Sequence, residues 1–249
     1  MIDELPDPRT FLAEVDWARL RHGGGMASSN TPVKLGGLVS GNSAEVAAGL
    51  DHLWDDLFHQ GSVYPATAHA AVYVAAILGD AEIRELLVPA QGEEKFPLRG
   101  RLLNWLAELA YAVSREAEMK IRARFDDSML NFEPIFGGVW AVRPILFQGV
   151  SPYFSDMNPD VRESALLAAV HLLDAPELVL HRSKLAPLVR TVLAASTDRG
   201  HRSAAIAGLE AWGEDVDSLR SAAELSEEDG DSWNSFWNAD RGSLDEPPF

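Results

Sequence analysis

Two segments of this chain repeat one another in fixed register. "DMNPDVRESALLAAVHLL" and "STDRGHRSAAIAGLEAWG" align with Arg162 on Arg202, Ser164 on Ala204, Ala165 on Ala205, Leu166 on Ile206 and Ala169 on Leu209, a constant offset of 40 residues. Between them "SKLAPLVRTVLAA" has the spacing of a second helix. The unit is therefore a helix pair. One such pair cannot bury its apolar face alone, and it needs a neighbour stacked against it to make a continuous core. "SAEVAAGLDHLW" followed by "YPATAHAAVYVAAIL" reads as an earlier, degenerate copy whose alanines permit the same close approach.

The rest of the chain fits this frame. "PRTFLAEVDWARL" puts Phe11, Leu12, Val15 and Leu20 near one helix face, with Trp17 at its edge. "RHGGGMASSNTP" breaks the pattern and reads as a loop. In "SAEVAAGLDHLWDDLFH" an apolar stripe of Val46, Leu50, Leu53, Trp54, Leu57 and Phe58 opposes a polar stripe of Asp51, His52, Asp55, Asp56 and His59. Gly61 sits where a left-handed residue ends a helix, and Pro65 where proline opens one. "DAEIRELLV" is expected as a short helix, and "AQGEEKF" as a loop. A long helix is expected from Pro97 through "RARF", with Glu116–Lys120 and Glu118–Arg122 paired on its surface. Ile135 to Phe154, interrupted by Pro144, is one kinked helix or two short ones.

Helical periods in the forties belong to HEAT and armadillo arrays, so the expected fold is all-α, an α-solenoid of such helix pairs. It would span residues 1–223, ahead of an acidic, aromatic-containing tail at 224–249. In such arrays an acid before the helix and an arginine in its first turn cross-bond between neighbours. Asp156 or Asp160 with Arg162, and Asp198 with Arg202, are expected in that structural part.

The chain also resembles a group of bacterial HEAT-like repeat proteins. The likeness rests on Asp16–Trp17 with Leu20, on Thr31–Pro32, on Leu53–Trp54 through the "HQGSVYPAT" ending at Thr67, and on Asn158–Pro159–Asp160–Val161–Arg162. It covers most of the chain ahead of the tail, loosely between Gln91 and Ile145. The resemblance implies partner-binding proteins of the toxin-immunity kind. It carries no catalytic residue to transfer, and the "HGGGMASSN" loop departs from its usual pattern.

Charge narrows the partners. Acids outnumber bases 38 to 21, for a net charge of -17. That field repels a phosphate backbone and attracts basic surfaces, which disfavours nucleic acid, including a HEAT-like DNA glycosylase role. Arg115, Lys120, Arg122 and Arg124 form a basic cluster, but alternating acids mostly neutralise it. Without cysteine there is no disulfide framework and no thiolate metal site. The longest uninterrupted apolar run, "AAVYVAAIL", is too short to span a bilayer, and the acidic N-terminus lacks a signal-peptide core. A cytoplasmic protein with no membrane association and no cofactor is expected.

The "HQGSVY" segment admits two readings. As a site it offers His59 as base, Ser62 or Tyr64 as nucleophile or acid, and Gln60 beside them. As a junction, His59 or Gln60 satisfies terminal carbonyls, Ser62 or Thr67 bonds backbone in the turn, and Tyr64 packs its ring inward. No Gly-x-Ser-x-Gly elbow surrounds Ser62. His52 with Asp55 or Asp56 and His59 has helix-face spacing for a metal, but HExxH and a distant ligand are missing, and a solvated face is the expectation. "HGGGM" has neither a preceding strand nor a following Lys-Ser/Thr, so it is not a phosphate loop. In the tail, Trp233 and Trp237 stand among eight acids and suit a docking segment or a solubilising one. The functional expectation is a non-enzymatic protein binder that neutralises a basic partner, a toxin such as a nuclease. The binding residues would be Asp51, His52, Asp55, Asp56, His59, Gln60, Ser62, Tyr64, Trp233 and Trp237. The alternative is a helical enzyme or small-molecule binder with its pocket at His59–Tyr64.

Overall fold

The computed structural model describes residues 4–23, 25–26, 30–89, 94–125 and 133–220. The expected boundary at 223 and the tail bearing Trp233 and Trp237 lie outside these. The described chain is predominantly helical. Its helices are α1 (Pro8–Glu14), α2 (Thr31–Gly37), α3 (Ser43–Asp51), α4 (Pro65–Ile77), α5 (Ala81–Arg84), α6 (Leu98–Ala112), α7 (Arg115–Phe125), α8 (Glu133–Val150), α9 (Pro159–Leu172), α10 (Arg182–Leu188) and α11 (Arg199–Ala211). Among the described residues no helix is long and apolar enough to cross a membrane.

The repeated sequence makes repeated local structure. Asn158 caps α9 by accepting from the Asp160 and Val161 N–H groups, and Asp198 caps α11 by accepting from His201 N–H. Two residues earlier, Asp156 Oδ1 accepts from Asn158 N–H at 2.9 Å, and Ser196 Oγ from Asp198 N–H at 3.0 Å. Arg162 donates to the Asp156 carbonyl at 2.7 Å, and Arg202 to the Ser196 carbonyl at 2.7 Å. Apart from the Asp160 N–H bond, each of these contacts has its counterpart 40 residues on. The expected cross-bonding of these arginines to acidic side chains of a neighbour is thereby corrected. The side chains ahead of each helix already serve backbone N–H groups, and the extended cap turns a main-chain carbonyl toward the arginine of the same repeat.

What joins the two repeats is Glu163. Its Oε2 accepts from the Ser196 hydroxyl at 2.5 Å and from His201 Nδ1 at 3.0 Å. Small residues then let α9 and α11 close on one another: a Cβ on Gly208 would lie 2.5 Å from Val170 Cγ1.

Packing in the core joins helices remote in sequence. α6 lies along α9 with their starts together: Arg99 is 4.0 Å from Asp156 at one end, and Arg115 N–H bonds Asp174 at the other. α4 packs on α8, where a Cβ on Gly149 would come within 2.8 Å of Ala75. Ala66, Ala70, Ala71 and Ala75 of α4 are buried, as an alanine-rich helix pressed against a neighbour requires. Trp105 ties α6 to the N-terminal helices by donating to the Leu53 carbonyl at 3.0 Å.

Three local expectations change. The "DAEIRELLV" helix shrinks to the single turn α5, and its β-branched end becomes β3 (Leu87–Pro89), antiparallel to β4 (Lys95–Pro97). The loop after α1 contains a second short hairpin, β1 (Arg21–His22) with β2 (Gly25–Met26), so a strand does precede the glycines. The long helix from Pro97 breaks at Val113–Ser114, where the Ser114 hydroxyl caps the next helix by accepting from Ala117 N–H. Of the two readings offered for Ile135 to Phe154, the single helix is the one that forms, with α8 carrying Pro144 inside it and ending at Val150. Both surface pairs of α7 form, Lys120 with Glu116 at 2.7 Å and Arg122 with Glu118 at 2.6 Å.

Candidate functional site

α3 runs into a π-helical turn, His52–Leu57, that brings the "LWDDLFHQGSVY" segment against the β1–β2 hairpin. A wider i→i+5 turn shifts the phase of every residue after it relative to an α-helix. The polar stripe expected on one solvated face is split as a result. Asp51 and Asp55 are exposed, Asp56 is half-buried, and His52 turns inward with only 2% of its surface exposed. Placing His52 among solvated residues is corrected on that ground.

Inside, His52 bridges two side chains. Its Nδ1 lies 2.6 Å from Asp56 Oδ2, and its Nε2 lies 3.0 Å from the hydroxyl of Thr31 at the start of α2. An ionised carboxylate can only accept, so Nδ1 carries the proton and Nε2 accepts from Thr31. Burial pulls the His52 pKa down, against the raising pull of Asp56, so the ring is neutral at neutral pH. The His22 ring stacks edge-on to His52, with centroids 5.7 Å apart, and Lys34 Nζ stands 3.9 Å from Asp56. Asp56 also receives the hairpin through its backbone, its carbonyl accepting from Gly23 N–H at 2.7 Å.

Hydroxyl, imidazole and carboxylate in this order form the connectivity of a nucleophile–base–orienter relay. The surroundings do not let it act as one. Thr31 has 0% of its surface exposed, and no reacting carbonyl can reach its Oγ1. Chemically the set is a sealed pin joining α2, the hairpin and the π-turn.

The "HQGSVY" residues form the seat of that hairpin. Gln60 and Gly61 take consecutive positive φ values of 52° and 77°, which turns the chain sharply. The Thr67 hydroxyl accepts from Tyr64 N–H and donates to the Leu57 carbonyl, fixing the entry to α4. A Cβ on Gly23 would meet the Asp56 carbonyl at 3.1 Å and both His59 Cβ and Tyr64 Oη at 3.2 Å. Gly23 therefore fills the space between His59 and Tyr64. His59, Gln60 and Ser62 are exposed, and among the described residues no hydrogen bond joins the side chains of His59, Ser62 and Tyr64. Nor, among those residues, is any group of three His, Asp or Glu spaced to hold a metal ion.

Thr31, His22 and Lys34 complete this cluster, and sequence reasoning missed all three. Thr31 is 21 positions from His52 and carries no local signal. Its position ahead of Pro32, at a helix start, accounts for its presence without invoking a partner.

No family model matches the chain, and no match is found among curated proteins or solved structures.

Proposed function

We propose that this chain is a non-catalytic helical-repeat protein, HEAT-like in its helix-pair unit, which binds a basic protein and so neutralises it. A cationic toxin such as a nuclease is the partner that best fits. The observation carrying this reading is the outer face of α3 and its π-turn. Ala44, Glu45, Ala47, Ala48, Asp51 and Asp55 are all exposed there, acids interleaved with side chains too small to hold a partner away. The net charge of -17 adds long-range attraction for a cationic surface. The Thr31 hydroxyl and His52 ring of the relay are buried, and Gly23 fills the seat at His59–Tyr64, so neither supplies a working catalytic corner.

The test is capture of partners on the immobilised chain from the source cell, followed by a salt series. A cationic protein retained at low salt, eluting as salt rises, and released by Asp51→Lys with Asp55→Lys would support the reading. Capture of no cationic protein, with turnover of a small molecule instead, would overturn it.

A further inference from the structure

Two buried imidazoles share one carboxylate where the N-terminal segments meet. His22 comes from β1 and His52 from the π-turn, and they are 8% and 2% exposed. Asp56 lies between them. Its Oδ2 accepts the His52 Nδ1–H at 2.6 Å, its Oδ1 is 4.0 Å from His22 Nδ1, and Lys34 Nζ of α2 is 3.9 Å from Oδ2. With both rings neutral, the ammonium and the carboxylate balance. With both protonated, three cations crowd one anion, and the two rings, with centroids 5.7 Å apart, repel one another where little water screens them. The Thr31 hydroxyl adds a second penalty. It donates to His52 Nε2, so a proton placed on that nitrogen leaves two donors face to face at a residue with 0% of its surface exposed. The other titratable groups on the packed elements lie elsewhere. Arg21, Asp51 and Asp55 are exposed, and His59 and Tyr64 flank Gly23. On α4, which packs on β1, His69 meets the Pro65 carbonyl and the Trp17 ring, and Tyr73 is buried within reach of Asp80.

We propose that this cluster is an acid-operated joint: when His22 and His52 take up protons, α2 and the His22–Gly23 segment part from the π-turn. Imidazole is the side chain whose charge changes just below neutrality, so a mild fall in pH is the trigger. Opening breaks the Gly23 N–H bond to the Asp56 carbonyl and vacates the space between His59 and Tyr64. The α6–α9 and α4–α8 contacts contain neither imidazole, so the opening is local. Burial sets its direction. It holds the His52 ring below its ordinary 6.5, so the closed joint is fully stable above pH 6.5 and weakens as pH falls. The joint works whatever partner the outer face of α3 meets.

The test is amide hydrogen exchange on the full chain from about pH 7.5 to about pH 5, each rate divided by the intrinsic rate at that pH. Protection of the Gly23 N–H should fall at least about tenfold further than that of the α6 amides. The imidazole resonances of His22 and His52, followed by NMR in the same samples, should titrate together with that loss. In the His22→Gln, His52→Gln double variant the excess fall at Gly23 should disappear, and each single variant should keep part of it. If the double variant fails to fold at neutral pH, the unmodified chain decides alone. Imidazoles that titrate while Gly23 stays protected would mean that the joint remains shut, and the proposal fails. It fails equally if Gly23 loses protection only in step with α6, which marks global unfolding, or if the folded double variant keeps the full excess fall.

Discussion

His52 Nδ1 stands 2.6 Å from Asp56 Oδ2 while the opposite ring nitrogen accepts from Thr31, so one imidazole locks together α2 and the π-turn that follows α3. The arrangement copies the wiring of a hydrolytic relay, yet burial assigns it to stability. The same turn leaves Asp51 and Asp55 exposed, so one local distortion separates the buried residues that hold the N-terminal region together from carboxylates that face outward.

Thr31→Val and His52→Leu should therefore act through folding. Removing either partner strands a buried polar group, at about 1–3 kcal/mol. The double variant should cost less than the sum of the two, because it leaves no unmatched pair. Chemical denaturation of the four proteins checks this. Full additivity would mean that the hydrogen bond contributes nothing.

Arg162 and Arg202 each donate to a carbonyl six positions upstream, inside their own repeat. Arg162→Met and Arg202→Met should each cost about 1–2 kcal/mol, and the two costs should add, since the bonds share no partner. Arginines that bridged neighbouring repeats would instead show coupling in the same denaturation series.

Gly208 is where α11 comes closest to Val170 of α9. Gly208→Ala should destabilise by about 1–3 kcal/mol, because its Cβ would overlap Val170 Cγ1. Adding Val170→Ala should recover part of that loss despite deleting buried methyl groups. A double variant no better than Gly208→Ala would place the fault elsewhere.

How much of this the sequence carried depends on range. The repeat and the pairs Glu116–Lys120 and Glu118–Arg122 are set by neighbours within a few positions, and they were legible. The turn at Gly61–Pro65 was legible too, because Gly and Pro act locally. His52 was misplaced because α-helical spacing assumes a constant turn, and the π-turn after Asp51 breaks that assumption. The contacts of Thr31 with His52, Gly23 with Asp56 and Glu163 with Ser196 join residues 21, 33 and 33 apart, and no local pattern announces them. β3 was read as helix because three residues are too few for periodicity to arbitrate.

Two half-buried groups make opposing pH demands, and their variants should separate them. Burial raises the Glu108 carboxyl from 4.5 to about 7, so the folded state holds that proton more tightly than the unfolded chain does. The associated stability is complete below pH 4.5 and is lost as pH rises through 7. His171 runs the other way. Burial against Tyr111 lowers it from 6.5 to about 4, with Glu116 and Asp174 pulling weakly upward and Lys120 downward. Its contribution is present above pH 6.5 and is lost as pH falls toward 4. Each effect amounts to no more than about 3 kcal/mol, so in the window where they overlap each largely masks the other. Relative to the wild-type chain, Glu108→Gln should be more stable by up to that amount near neutrality, with the advantage vanishing by pH 4.5. His171→Gln forfeits packing at all pH values, but its deficit should shrink as the solution is acidified. Thermal melts of the three proteins across this range check both slopes. A Glu108→Gln advantage that does not change with pH would mean that the carboxyl is ionised and solvated in the folded chain, and parallel curves for His171→Gln would mean the same of the imidazole.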